Sequence, residues 1–328
     1  MADDLSTTLA EAARLLADAR DVTLLSHVNP DADTLGSALA VGLALHRRGV
    51  RVRVAFGEPE AVPESLRALD TAGLLVHRDE VPEVPELLVV MDTGSVARLG
   101  PLGDRVANAR GPVIVVDHHV SNTRYGTVHC VDAGAEATAL IALKLLDEMG
   151  AEVDEPIARC LYAGLVTDTG GFRKAGPGAH ETAARLLKTG VDAHSVTRPL
   201  MDAHPFAYLG MLSQVLAKAE LDRTAAGGLG LVHAVVSLED ARDVRSEEVE
   251  SVIDVVRSAS EAEVAAVLKE LRPGYWSVSL RAVGEVDVRE VAQVLGGGGH
   301  RLAAGFTFDG VSEQVVAALK GALEQVGS

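Results

Sequence analysis

The chain has 328 residues, 48% of them hydrophobic, and a formal net charge of −17 at pH 7. This length is enough for two domains with separate cores, and the hydrophobic content excludes a disordered chain. Residues 225–328 hold nine basic against sixteen acidic residues, so we expect no basic face for long duplex nucleic acid. Aromatic residues make up only 3% of the chain, which excludes an extended stacking platform for single strands.

Nothing in the sequence predicts export or membrane insertion. No apolar stretch reaches the roughly 18–20 residues that a membrane-spanning helix needs. The residues Met1–Leu5 are acidic and lead into no hydrophobic segment, which predicts the absence of a signal peptide. Cys130 and Cys160 are too few for a disulfide framework and predict buried thiols in a reducing compartment. We therefore expect a cytoplasmic protein.

The first half of the chain alternates apolar strands with helical segments. This alternation predicts an α/β fold with a mostly parallel sheet and helices on both faces. In chain order, we predict a helix at 6–19, strands near 22–27, 50–56, 87–91 and 113–117, and helices near 34–48, 135–149, 155–166 and 179–189.

The pattern changes near Gly190. We predict an N-terminal domain over 1–190, a linker with a helix over 191–226, and a smaller α/β domain over 227–328. The two domains would face each other across a cleft, where ligands tend to bind. In the second domain, we predict strands at 229–236, 264–271, 276–282 and 305–308, a helix at 287–295, a glycine-rich loop and a final helix.

Aspartate and histidine recur at four points where an apolar segment ends. Ligands of open α/β sheets gather beyond the carboxyl ends of the strands. One such ending is explained by helix capping, but four predict a metal centre, because clustered carboxylates repel one another unless a cation lies among them. The four clusters are His27-Val28-Asn29-Pro30-Asp31-Ala32-Asp33, Asp92-Thr93-Gly94, Asp117-His118-His119 and Asp168-Thr169-Gly170.

These motifs, in this order, resemble the DHH phosphoesterase superfamily. The stretch Gly296-Gly297-Gly298-Gly299-His300-Arg301 resembles the signature of the DHHA1 domain, so the resemblance covers roughly residues 8–325. A chain of this size is most similar to the NrnA-type nano-RNases. The resemblance implies an N-terminal DHH domain that holds the metal ions and a C-terminal DHHA1 domain that binds the substrate.

The resemblance also implies a ligand set for two divalent ions. One ion would be held by His27, Asp31 and Asp92, and the other by Asp33, Asp92, His118 and Asp168, with Asp92 shared. Aspartate and histidine are ligands that suit Mn²⁺ and similar divalent ions. Both cysteines lie outside the motifs, which argues against a metal bound by thiolates. Asp117 would orient a ligating histidine. His119 would contact the scissile phosphate or act as a general acid, the alternative being a packed histidine.

A second set of residues is predicted to bind phosphate. Ser279 and Arg281 lie two residues apart on a strand and therefore face the same side. A glycine run lets backbone N–H groups approach an anion, although alone it more often marks a flexible turn. Asn29 either donates to a phosphate oxygen or shapes its turn. The predicted phosphate contacts are Asn29, Arg173, Ser279, Arg281, Gly298, Gly299, His300 and Arg301.

The leading functional hypothesis is a Mn²⁺-dependent phosphodiesterase that cuts very short oligoribonucleotides to mononucleotides. It would also remove phosphate from 3′-phosphoadenosine 5′-phosphate. One alternative is hydrolysis of cyclic di-AMP or linear pApA, which the same metal and phosphate contacts would serve. A non-catalytic nucleotide sensor and a family II pyrophosphatase are less favoured, and the resemblance suggests a homodimer.

Overall fold

The chain divides into two compact units, one ending at Ala203 and the other beginning at His204. The structure is a computed structural model that describes residues 4–327, so Met1–Asp3 of the acidic start lie outside the described residues. The boundary between the two units falls inside the linker predicted over 191–226, so each unit includes part of that linker. We call them the N-terminal unit and the C-terminal unit.

A parallel five-stranded sheet forms the centre of the N-terminal unit. Its strands are β1 (Asp21–Ser26), β2 (Arg51–Phe56), β3 (Leu88–Met91), β4 (Val113–Asp117) and β5 (Val128–Val131). They lie in the order β2-β1-β3-β4-β5, and every neighbouring pair is parallel. The predicted parallel sheet is therefore confirmed. The short edge strand β5 was not predicted, because a run of four residues is too short to give a clear strand pattern by itself.

Helices cover one face of this sheet, and short irregular segments cover the other. Alternate residues of β3 face the two sides, as Val89 and Met91 join the large core whereas Leu88 and Val90 join a smaller one. The smaller core is closed largely by a 3₁₀ segment, Val96–Leu102, so the expected helical layer is thin on that side. The helices of this unit are α1 (Leu5–Asp18), α2 (Ala32–Arg47), α3 (Asp104–Asn108), α4 (Thr138–Glu148), α5 (Glu155–Asp168), α6 (Pro177–Leu187) and α7 (Ala193–Thr197).

Helix α2 is buried along almost its whole length and forms the centre of the larger core. Its first fourteen residues are all buried, and it packs most closely against α5. Gly36 permits this approach, because a Cβ there would lie 2.4 Å from the backbone oxygen of Cys160. This packing fixes the start of α2, which carries two of the predicted metal ligands.

The C-terminal unit contains a mixed six-stranded sheet in the order β10-β11-β9-β8-β7-β6. Only β7 and β8 pair in parallel; the other described pairs are antiparallel. Two helices pack on each face of the sheet, α10 and α11 on one and α8 and α9 on the other. The elements are α8 (Phe206–Ala217), β6 (Glu220–Asp222), β7 (Leu231–Val236), α9 (Ser246–Val256), β8 (Val264–Arg272), β9 (Tyr275–Ala282), α10 (Val288–Val294), β10 (Gly298–His300), β11 (Ala303–Asp309) and α11 (Ser312–Val326).

Two smaller features bear on the sequence predictions. Cys130 and Cys160 are both buried and unpaired, and burial raises the pKa of each thiol, to about 11 and about 12 respectively. Across residues 4–327, we find no helix with the length and apolar character needed to cross a bilayer.

Candidate functional site

The carboxyl ends of three neighbouring strands bring predicted ligands to one edge of the parallel sheet. His27 follows β1, Asp92 follows β3 and His118 follows β4. Because β1, β3 and β4 are adjacent and parallel, residues that directly follow them meet at the same edge. His27 and Asp92, which are 65 positions apart in the chain, thereby come within a few ångströms of each other. The same holds for Asp92 and His118, which are 26 positions apart.

The first group of possible ligand atoms surrounds His27. Its Nε2 lies 3.6 Å from Asp31 Oδ2 and 3.5 Å from Asp92 Oδ2. Its Nδ1 lies 2.8 Å from the carbonyl oxygen of Val28, so Nδ1 donates and the Nε2 lone pair is left for a cation. Asp31 caps α2 with its other oxygen, which accepts the Asp33 N–H. One residue thus caps a helix and faces the histidine.

The second group surrounds His118. Its Nε2 lies 3.2 Å from Asp168 Oδ2, at the end of α5, and 3.5 Å from Asp92 Oδ1. Its Nδ1 lies 3.1 Å from the carbonyl oxygen of Ala135, which again leaves Nε2 as the ligand atom. The ligand atoms of Asp33, His118 and Asp168 all lie within 4.8 Å of one another. That spacing suits a single cation.

Asp92 lies between the two groups. Its Oδ2 faces His27 and its Oδ1 faces His118. Asp92 has φ 53°, in the left-handed region, and its N–H bonds to the carbonyl oxygen of Val116 at the end of β4. This turn directs the carboxylate between the two histidines. A shared ligand for two ions requires such an arrangement.

The cluster has more negative charge than its histidines offset. Burial, and then repulsion from Asp92 and Asp168, holds the pKa of Asp33 well above its usual range. Burial, and then repulsion from Asp92 and Asp31, raises the pKa of Asp168. Burial opposes the charge of His27 as well, yet the attraction of Asp31 and Asp92 raises its pKa. The donor set, all oxygen and imidazole nitrogen, therefore fits divalent cations, whose charge would relieve this repulsion.

The start of α4 holds two of the carboxylates, a role that the sequence prediction missed. Asp33 accepts the backbone N–H of Thr138 at 2.7 Å and that of Ala139 at 2.9 Å. The Thr138 hydroxyl donates to Asp92 Oδ1 at 2.8 Å. From the helix predicted near 135–149, Thr138 has no expected role beyond the start of that helix. Its contacts arise from residues 105 and 46 positions away, which no local pattern indicates.

Asp117 contacts His119, the histidine that was not predicted to bind metal. Asp117 Oδ1 accepts from His119 Nδ1 at 2.6 Å, and Oδ2 accepts from the Asn122 side chain at 2.5 Å. The carboxylate is fully buried. It therefore fixes the orientation of the His119 ring through Nδ1. The ligating His118 is instead oriented by a backbone carbonyl, that of Ala135.

The other predicted contacts of the N-terminal unit lie on exposed loops. Asn29 is exposed, has φ 53° and donates its backbone N–H to the Glu58 carbonyl at 2.7 Å, so it shapes its turn. Arg173 is exposed on the turn after α5. Its neighbour Phe172 stacks on His180 with ring centroids 5.3 Å apart.

In the C-terminal unit, Ser279 and Arg281 face the α9 side of the sheet. Trp276, Val278 and Leu280 of β9 point into the opposite core, as the strand period requires. Ser279 Oγ accepts from Lys269 Nζ at 2.9 Å. Burial lowers the pKa of Arg281.

The glycine-rich segment is partly a strand, which corrects the prediction of a loop. Gly298–His300 form β10 and pair antiparallel with β11. At Gly299, which has φ 142°, a Cβ would lie 2.5 Å from the Cα of Ala304. Backbone packing alone therefore requires a glycine there. Arg301 is exposed and donates to the Gly284 carbonyl at 2.8 Å.

Two family models match the chain. The DHH family, N-terminal domain, matches residues 21–165, and the DHHA1 domain matches residues 229–328. The first range includes five of the six predicted metal ligands, and the second includes the predicted phosphate contacts of the C-terminal unit.

Known proteins resemble the whole chain. The bifunctional oligoribonuclease and PAP phosphatase NrnA of Thermus thermophilus is 33% identical over 93% of this chain and 91% of its own length. An exopolyphosphatase-related protein of Bacteroides fragilis has a similar structure, with a TM-score of 0.88, 23% identity and coverage of 98% and 97% of the two chains. RecJ of Thermus thermophilus, crystallised with Mn²⁺, has a TM-score of 0.57 and 17% identity, and the match covers 98% of this chain and 54% of RecJ. The chain therefore belongs to the DHH family of phosphoesterases and pairs its DHH domain with a DHHA1 domain.

Proposed function

We propose that this protein hydrolyses very short oligoribonucleotides to mononucleotides and also removes phosphate from 3′-phosphoadenosine 5′-phosphate. The observation that carries the proposal is Asp92, whose two oxygens face His27 and His118 in two separate ligand groups. Similarity to NrnA over nearly the whole chain supports the substrate class. The acidic surface, with a net charge of −17, favours a small anion over a long duplex.

We propose two divalent ions, most suitably Mn²⁺, as the cofactor. His27, Asp31 and Asp92 would hold one, and Asp33, Asp92, His118 and Asp168 the other. When bound, such ions neutralise charge on phosphoryl oxygens and acidify a water molecule. The structure of RecJ with Mn²⁺ supports the choice of metal through the shared fold.

The side chains around the ligands supply positioning and proton transfer. Asp117, fixed by Asn122, accepts a hydrogen bond from His119 Nδ1, so a His119 ring protonated on both nitrogens would give its Nε2 proton to the leaving oxygen. Ser279 and Arg281, with the glycine-rich strand Gly298–His300, would bind the terminal phosphate. We assign the substrate-binding role to residues 227–328 and the hydrolytic role to residues 1–190.

The test is AMP release from pApA by the purified, Mn²⁺-loaded protein. Rapid release, together with phosphate release from 3′-phosphoadenosine 5′-phosphate, is the expected result. Parallel reactions with cyclic di-AMP, pyrophosphate and a long single-stranded RNA measure specificity. Faster turnover of cyclic di-AMP than of pApA would replace the proposal with the cyclic dinucleotide alternative. Nucleotide binding without any turnover would indicate a sensor.

We also propose a cytoplasmic homodimer. The two buried, unpaired cysteines support a reducing compartment. Sedimentation equilibrium of the purified chain measures the oligomeric state directly, and a mass of one chain would reject the dimer.

A further inference from the structure

Lys269 carries a buried charge that the proposed mechanism does not use. It lies in β8 and is only 3% exposed. Burial lowers the pKa of its ammonium group, the acidic Glu250 partly opposes this, and the charge of Arg281 lowers it further. A buried ammonium group reduces folding stability unless its partners compensate. A lysine at this buried position therefore requires a structural or functional explanation.

The contact with Lys269 determines in which direction the Ser279 hydroxyl can donate its proton. Lys269 Nζ pairs with Glu250 on α9 and lies 2.9 Å from Ser279 Oγ. An ammonium group has three donors and no acceptor, so the serine oxygen accepts in this bond. The serine proton must then point towards another acceptor. Within the C-terminal unit, as far as the structure describes it, that proton has no other partner.

The surroundings of Ser279 suit an anion. Arg281 lies on the same face of β9, and burial lowers its pKa too. In β11, on one side, Gly305 pairs with Ser279 and Ala303 pairs with Arg281, so only small side chains stand on that side; in β8, on the other, Val267 and Ala265 are the paired residues. The face thus combines the buried cation Lys269, the partly buried cation Arg281, one hydroxyl donor and, on the side of β11, only small side chains. This combination fits a phosphate group.

We propose that Lys269 is a positioning residue of the phosphate site, because its ammonium group holds the Ser279 hydroxyl as a donor towards a phosphoryl oxygen. This inference rests on the proposed function and deepens it. The ligand class is a phosphate monoester, such as the terminal phosphate of a short oligonucleotide or of AMP. Lys269 itself does not touch the substrate.

A purely structural role makes a different prediction. If Lys269 served only to stabilise the packing of α9 on β8, its ion pair with Glu250 would be the contact that matters for folding. Glu250→Gln removes that charge pair and leaves the contact with Ser279. It is the matched control, and we expect its KM and kcat to equal those of the wild type.

The test compares Lys269→Met, Ser279→Ala and the double variant. Losing one hydrogen bond to a charged ligand should raise the KM for pApA and the dissociation constant of AMP about 10-fold, with kcat unchanged. The double variant should resemble Ser279→Ala alone, because both changes remove the same bond. Lys269→Arg, which keeps a cationic donor, should restore part of the affinity. Fluorescence of Trp276 verifies folding, and Lys269→Leu replaces the methionine variant if that variant does not fold.

Two results would overturn the role of Lys269. One is a wild-type KM in Lys269→Met while Ser279→Ala is impaired, and the other is a double variant whose losses multiply. Failure of the proposed function is distinct, since the wild type itself would then release no AMP from pApA. In that event calorimetry with AMP decides, and equal affinity of the wild type and Lys269→Met rejects the inference.

Discussion

The two units of this protein build their polar sites in opposite ways. In the N-terminal unit, acidic side chains meet where three parallel strands end, and the resulting cluster needs cations. In the C-terminal unit, Lys269 and Arg281 lie along two adjacent antiparallel strands, and the resulting face suits an anion. A parallel sheet collects distant residues at one edge, whereas an antiparallel pair aligns residues that are near in sequence. This difference would allow an acidic chain to bind a phosphate ester.

The largest expected effect follows from removing the shared carboxylate of the N-terminal unit. Asp92→Ala deletes a ligand of both proposed ions, so kcat/KM should fall at least about 1,000-fold. Manganese content, measured by elemental analysis after gel filtration, should fall with it. Asp104→Ala, at an exposed position of the same unit, is the control. Unchanged metal content in Asp92→Ala would show that the cluster is not the metal site.

Removal of the metal ions by a chelator should change hydrogen exchange in the N-terminal unit and leave it unchanged in the C-terminal unit. Ligand binding at 100 times its dissociation constant stabilises a fold by about 2.7 kcal/mol, so stripping the ions should raise hydrogen exchange around the cluster about 100-fold. The amides of Thr138 and Ala139, which bond to Asp33, are the probes. Amides of β9 should keep their protection. Equal changes in both regions would contradict a metal centre confined to the N-terminal unit.

Thr138 tests how far the carboxylates depend on the start of α4. Thr138→Val removes the hydroxyl that donates to Asp92 and keeps the backbone bond to Asp33. Changes in groups that orient metal ligands typically cost about 10- to 100-fold in metal affinity or activity, and we expect a loss in that range. Thr138→Ser keeps the hydroxyl and should behave as the wild type. Manganese titration followed by electron paramagnetic resonance measures the affinity of each variant, and indistinguishable valine and serine variants would remove Thr138 from the site.

The smallest effects concern the glycine-rich segment of the C-terminal unit, that is, Gly297 and the adjoining strand β10. A Cβ at Gly297 would lie 2.1 Å from the Gly305 carbonyl oxygen, whereas one at Gly298 would meet nothing within 4 Å. Gly297→Ala should therefore lower the free energy of unfolding by about 1–3 kcal/mol. Gly298→Ala should change it by less than about 0.5 kcal/mol. Urea unfolding followed through Trp276, the single tryptophan, measures both.

The Gly298 variant also separates packing from binding. A folded Gly298→Ala protein with a raised KM would show that the substrate approaches the backbone at this position. An unchanged KM would remove Gly298 from the phosphate contacts and leave packing as the reason for the glycine run.

The sequence predicted most of the fold because its strong signals are local. The strands β1, β3 and β4 are short apolar runs followed by Asp or His, and such runs are recognisable without any partner. Strand β10 was missed because Gly298–His300 has no intrinsic strand preference and is extended only through pairing with β11. Similarly, the adjacent acidic residues Glu247 and Glu248 predict a solvated helix face, yet Glu248 is buried, where Arg245 pairs with it.

For the site, the sequence by itself determined which residue types stand at the ends of the apolar segments, and the order of the motifs gave the family. Tertiary structure alone decided which atoms meet. It placed the two oxygens of Asp92 towards different histidines, joined Thr138 to Asp33 and Asp92, and set Lys269 against Ser279. Residue identity is a local property of the chain, whereas these contacts depend on how strands and helices pack.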